Sequence, residues 1–162
     1  MLRFENSSEK PVYYMGMSIE REENVWDGSC CRRGGVYELV HMAEHGAETA
    51  ERLRAVQALG KSDDPRAVRP LVDLLADAEP QIRLNAVTAL GHLRSGRPVD
   101  DLIERLRDRT EQQVIRDEAV VALAAIRSTG AIHGMREFIA DEEEDPALRA
   151  HAEELLRNIA NW

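Results

Sequence analysis

Apolar residues return along this chain in steps of three and four, the spacing that gathers them into one stripe of a helix. In the stretch 64–78, Val68, Leu71, Val72 and Leu75 make such a stripe, with Asp64 placed to cap the helix and Pro65 at its first position. The same opening returns at Glu79-Pro80, Arg97-Pro98 and Asp145-Pro146, while Gly60, Gly96 and Gly130 read as closing signals. These marks predict helices over residues 35–45, 48–60, 66–76, 80–94, 98–107, 112–127, 131–140 and 146–160, which pair into four antiparallel hairpins.

A longer period lies over the short one. Arg52, Ala55, Ala58 and Leu59 are followed by Arg83, Ala86, Ala89 and Leu90, then by Arg116, Ala119, Ala122 and Leu123, then by Arg149, Ala152, Leu155 and Leu156, at steps of 31, 33 and 33 residues. A self-similar period of this size marks a repeat array. One amphipathic hairpin cannot bury its apolar stripe alone, so neighbours must stack to make the core. Small Ala55, Ala86, Ala119 and Ala152 let helices approach, and Leu59, Leu90, Leu123 and Leu156 fill the seam between pairs. The fold class expected is all-α, an α-solenoid of four hairpins over residues 34–162 with a right-handed superhelical stack. Residues 1–33 share no period of 2 or 3.6 and read as a flexible tail.

The unit "AVRPLVDLLADAEPQIRLNAVTALGHL" resembles a HEAT repeat, in particular the short HEAT-like repeats of phycobilisome bilin lyases. Its first helix carries Pro70 within an apolar stripe and ends at Asp77; its second opens with Ile82-Arg83 and runs to Ala89-Leu90-Gly91. Asp108 before Val114-Ile115-Arg116 and Asp141 before Leu148-Arg149 repeat that turn, whereas Gly46 stands where the first unit would carry its Asp. The resemblance covers about residues 35–160. It implies that Arg52, Arg83, Arg116 and Arg149 form a structural ladder with the turn residues Asp77, Asp108 and Asp141 or with carbonyls of adjoining units. It also implies a concave surface lined by the second helices. Outward positions there are Arg54, Gln57 and Lys61; Asn85, Thr88 and His92; Glu118, Val121 and Ala125; His151, Glu154 and Asn158. That surface grades from basic to acidic and is suited to an extended peptide or a helix of another protein.

Composition narrows the chemistry. Aromatics make up only 4% of the chain, so the core must be aliphatic, as closely packed helices allow. A net charge of −9 disfavours nucleic acid and anionic membrane as partners. No apolar run is long enough to span a bilayer, the N-terminus lacks the apolar centre of a secretory signal, and Cys30 and Cys31 are adjacent, poorly placed for a structural disulfide. A reducing cytoplasm is the expected compartment. His41 and His45 lie four apart with the two cysteines upstream, but the spacing matches no known finger, so a surface histidine pair is expected and no metal. The run 141–145, DEEED, lacks the alternation and the Gly of a calcium loop and reads as a solvated loop before a helix.

Known enzymes built on HEAT-like arrays offer contrasts. Deoxyhypusine hydroxylase holds two irons through His-Glu pairs, and this chain has no His-Glu dipeptide. HEAT-like DNA glycosylases use a basic cleft, opposite in sign to this charge. No Ser-His-Asp set, phosphate loop or paired-carboxylate pocket is readable. The expectation is a non-enzymatic, cofactor-free scaffold that binds a protein or peptide through its second helices. The alternative is an accessory or catalytic subunit of bilin-lyase type.

Overall fold

The computed structural model describes residues 35–160; the expected tail, 1–33, lies outside the described residues. The order is α1 (Gly35–His45), α2 (Thr49–Gly60), α3 (Val68–Asp73), α4 (Pro80–Leu93), α5 (Val99–Arg107), α6 (Gln113–Ile126), α7 (Thr129–Ala140) and α8 (Pro146–Ala160). No strand occurs among the described residues, and the molecule is an α-solenoid.

The helix starts follow local chemistry. Arg66 N–H donates to Asp64 Oδ1 at 2.9 Å, Ala131 N–H donates to Ser128 Oγ at 3.1 Å, and Asp145 Oδ1 accepts from Ala147 and Leu148 N–H at 2.9 and 3.0 Å. Each bond satisfies an amide that has no partner within its own first turn. Pro80 and Pro146 open α4 and α8, where a missing N–H costs nothing, while Pro98 sits one residue ahead of α5.

Two expectations need correction. The single helix expected over 66–76 is a six-residue α-helix flanked by 3-10 turns at Pro65–Ala67 and Leu74–Ala76. Pro70 has no N–H to return to the carbonyl four residues back, so a regular α-ladder cannot run through this segment. The closing signals also differ from the glycine rule. Gly130 is the second residue of α7 and closes nothing. The helices before it end on Arg94 (φ 48°) and Arg127 (φ 54°), left-handed positions held by non-glycine residues.

Helices pair as α1/α2, α3/α4, α5/α6 and α7/α8, and the second helices pack in succession, α2 on α4, α4 on α6 and α6 on α8. The core follows the long period. Ala55, Ala86, Ala119 and Ala152 are buried, as are Leu59, Leu90 and Leu123, whereas Leu156 in the last unit is only half-buried.

Close approach of the second helices explains why Ala-Leu-Gly returns. A Cβ on Gly60 would lie 2.7 Å from Ala89 Cβ and 2.8 Å from Ala89 Cα; one on Gly91 would lie 3.0 Å from Ala122 Cα. Small residues of successive units thus face each other across the seam. A helical Gly→Ala change ordinarily stabilises by up to about 1 kcal/mol. Gly60→Ala is expected to do the reverse, costing about 1–3 kcal/mol through overpacking against backbone. Gly96→Ala is the control, because its nearest neighbour would be Ser128 Cβ at 3.8 Å. Thermal melts of the two variants decide it, and equal behaviour would mean that the seam gives way at no cost.

Candidate functional site

The second helices present three outward rows. Arg54, Asn85, Glu118 and His151 make the first; Gln57, Thr88, Val121 and Glu154 the second; Lys61, His92, Ala125 and Asn158 the third. These positions do not behave alike. Gln57 Nε2 donates to Asn85 Oδ1 at 3.0 Å, joining α2 to α4, and Thr88 Oγ donates to Glu118 Oε1 at 2.8 Å, joining α4 to α6. His151 Nδ1 lies 2.6 Å from Asp117 Oδ1, joining α8 to α6. Five of the outward residues therefore stitch one unit to the next. Arg54, Lys61, His92 and Glu154 are exposed and take no side-chain partner among the described residues. Along the α2–α4 edge, Gln57, Lys61, Asn85, Thr88 and His92 line a cleft of about 300 Å³.

Beneath this face the arginines tie the units together. Arg83 grips Glu111 with two bonds, Nε to Oε2 and Nη2 to Oε1, both 2.8 Å. Arg116 Nη2 donates to Glu144 Oε2 at 2.5 Å and its Nε to Leu106 O at 2.7 Å. Arg52 pairs through both terminal nitrogens with the Asp77 carboxylate and through Nε with Ala43 O. Arg149 Nε donates to Ile139 O at 2.9 Å and holds no carboxylate among the described residues.

The expected Asp–Arg ladder is corrected at two steps. Asp108 and Asp141 do not receive Arg83 and Arg116; each accepts the amide two residues ahead, Thr110 and Glu143 N–H, at 2.9 and 3.0 Å. The arginine goes to the acid three residues past the turn, Glu111 or Glu144. In the unit of Asp77 that position is Pro80, so Asp77 does both jobs, accepting Glu79 N–H at 2.9 Å as well as Arg52. Glu144 also corrects the solvated reading of the run 141–145. It is only 5% exposed, while Asp141, Glu142 and Glu143 face solvent.

The model of the family described as HEAT repeats matches residues 36–115 and 75–157, most of the chain. The chain belongs to the HEAT repeat family. A comparison with curated protein sequences gave no match. Among solved structures, human deoxyhypusine hydroxylase in complex with glycerol is similar, with a TM-score of 0.67 and 24% identity over 75% of this chain and 42% of that chain. The HEAT array here spans less than half of that enzyme's length, and a likeness at this identity speaks for the fold alone.

Around this HEAT array, no group of three or more His, Cys, Asp or Glu side chains able to hold a metal occurs among the described residues. His41 and His45 stand edge to face on α1 with ring centres 5.1 Å apart, and Cys30 and Cys31 lie outside the described residues. No helix among the described residues is long and apolar enough to cross a membrane.

The ladder sets an acid limit on stability. The Arg83 hydrogen bond, opposed by burial and helped by Gln112 N–H, holds Glu111 below its ordinary 4.5. The Thr110 hydroxyl and amide hold Asp108 below 3.8. Burial alone would raise Asp77, but the Arg52 hydrogen bond and Glu79 N–H outweigh it and leave the group lowered. Each carboxyl binds its proton more weakly folded than unfolded. The stabilisation is therefore complete above about pH 4.5 and is lost as pH falls through the folded values beneath it. Urea midpoints measured down this range should fall steeply for the parent and less steeply for Glu111→Gln, which has already lost the charge. Parallel curves would remove Glu111 from the acid transition.

Proposed function

We propose that this HEAT array is a non-enzymatic scaffold that binds another protein, or a peptide segment of one, on the face formed by α2, α4, α6 and α8. The observation that carries the reading is the division of labour on that face. Gln57, Asn85, Thr88, Glu118 and His151 satisfy one another or Asp117, whereas Arg54, Lys61, His92 and Glu154 are left exposed without intramolecular partners. Such a surface is rigid and pre-formed, which lowers the ordering cost of binding. A reducing compartment such as the cytoplasm suits the adjacent cysteines.

The test replaces Arg54, Lys61, His92 and Glu154 together by alanine. Asn85 and Glu118 are left intact because changing them would also cut inter-unit bonds. Exposed single changes move stability by about 0.5 kcal/mol or less, so the variant should melt close to the parent. A partner captured from host cells by the parent should be lost by the variant. Capture undiminished in a folded variant would move the binding surface to the first helices or the loops.

The alternative, a subunit of bilin-lyase type, rests on the resemblance of the unit 67–93 to the repeats of those enzymes. Incubation of the chain with an apo-phycobiliprotein and free bilin tests it, a covalent coloured product being the expected sign.

A further inference from the structure

We infer that the α2–α4 end of the second-helix face takes an extended acidic segment of a partner protein, with two carboxylates about three residues apart and an apolar side chain about three residues further on. The inference rests on the proposed scaffold function and supplies the chemistry of its partner.

The cations decide the sign. Nine of the fifteen arginines among the described residues hold carboxylates: Arg52, Arg66, Arg69, Arg83, Arg105, Arg107, Arg109, Arg116 and Arg157. Arg54, Lys61, His92 and Arg94 are exposed and hold none among the described residues, and all four belong to α2, α4 or the residue that closes each helix. Lys61 closes α2 and Arg94 closes α4, while His92 holds the place in α4 that matches Lys61. Lys61 and His92 are shared by two adjoining clefts, one of about 300 Å³ and one of about 480 Å³ that Arg94 and Ala125 also line. A water occupies about 30 Å³, so these clefts have room for side chains of a peptide and not only for an ion. Asp63 on the rim of the larger cleft is the one opposing carboxylate in the lining. On a chain of net charge −9, an acidic segment is repelled from most of the surface, and here it meets four exposed cations gathered on two adjoining helices.

The spacing follows from the stack. Neighbouring packed helices stand about 8–10 Å apart, and an extended chain advances about 3.3 Å per residue. A peptide crossing the helices thus places every third residue over the next unit: one carboxylate at Lys61, the next at Arg94 and His92, and the third position over α6. There the matching residue is Ala125, with Val121, 39% exposed, one turn earlier on the same face. Arg127, which closes α6 as Arg94 closes α4, has an interaction of its own, so the patch left open at that step is apolar and the partner must change in the same way.

The probe is a fluorescent synthetic peptide with the pattern Glu-x-x-Glu-x-x-Leu, titrated by anisotropy against the full chain at about 0.1 M salt, where only close charge pairs survive screening. Lys61→Glu with Arg94→Glu should weaken binding at least about tenfold, while the charge-matched Arg97→Glu with Arg136→Glu, away from this face, should change it by less than about twofold. Circular dichroism and a melt check that both variants fold. Leu→Ser in the peptide should weaken binding, and so should moving the two glutamates next to each other. The inference is overturned if the peptide does not bind, if its lysine counterpart binds equally, if both double variants lose equally, or if a single-stranded oligonucleotide displaces it more readily than unlabelled peptide does. A captured partner that needs Arg54 and Glu154 but docks through a neutral or basic segment would leave the scaffold reading standing and remove this one.

Discussion

Glu144→Ala should cost about 3–5 kcal/mol of folding free energy, far more than its place in an acidic loop suggests. Glu144 is 5% exposed and Arg116, its partner on α6, is equally buried at 5%. The two meet at 2.5 Å, and Arg116 is fixed from the other side by Leu106 O. Removing the carboxylate leaves a guanidinium that cannot be deprotonated in a place from which water is largely excluded, and that stranded charge is the main part of the loss. The control is Arg107→Ala. Arg107 reaches Glu137 at 3.5 Å but is 44% exposed and does not touch Glu144, so its loss should stay below about 1 kcal/mol. Replacing both partners, Arg116→Met with Glu144→Leu, should recover part of the deficit because no charge is then buried. Urea melts suit the measurement, since guanidinium would screen the charges. A loss below about 1 kcal/mol for Glu144→Ala would show that the pair is hydrated in solution and does not bind α6 to the turn before α8.

Why this pair was hidden in the sequence, when so much of the fold was plain, has a physical answer. The Arg-Ala-Leu period and the three-and-four apolar spacing are local records of what each helix buries, so the helices and their stacking could be read directly. Gly130 departs from the rule that reads glycine as a closer, and Pro70 departs from the uninterrupted helix expected over 66–76. Pro70 instead disturbs the middle of its segment, and Gly130 sits inside α7, where a Cβ would come no nearer than 3.6 Å to Val99 Cγ1. The arginines stood out because they repeat. Their acids did not, because Asp77 answers Arg52 while Glu111 and Glu144 answer Arg83 and Arg116. The spacing Asp-x-x-Glu at 108–111 and 141–144 was the available signal.

The outward face was legible in position and not in use. Helical period alone selects Gln57, Asn85, Thr88, Glu118 and His151 as outward. Their bonds join residues 28, 30 and, for Asp117 with His151, 34 apart in sequence. Such pairings depend on how far one helix slides along the next, which is fixed by the small residues in the seam and not by the polar residues themselves. Gly60 against Ala89 and Gly91 against Ala122 set that register. The free cations are therefore what remains after stacking has taken its partners, a remainder that no single unit displays.

Leu90→Ala should cost about 2–5 kcal/mol, and Leu156→Ala distinctly less. The two leucines hold equivalent places in the repeat, so their chemistry is the same and only their neighbours differ. Leu90 is fully buried in α4, which packs against α2 on one side and α6 on the other as well as against α3. Truncation there leaves a cavity walled by helices that are themselves held from behind, so collapse cannot fill it and the lost contacts add to the lost transfer free energy. Leu156 lies in α8, which packs on α6 and α7, and it is half-buried. Water or a shift of the end helix can occupy the space its side chain leaves. The same asymmetry extends to dynamics: in a stack held by nearest-neighbour contacts the end unit opens at lower free energy than an interior one. Amide exchange should then be slow in α4 and α6 and faster in α8, with Leu156→Ala accelerating α8 alone and Leu90→Ala accelerating all three. Equal losses in denaturant melts, joined to uniform exchange, would mean that the chain folds as one indivisible core, and the stacked-unit account of its stability would fail.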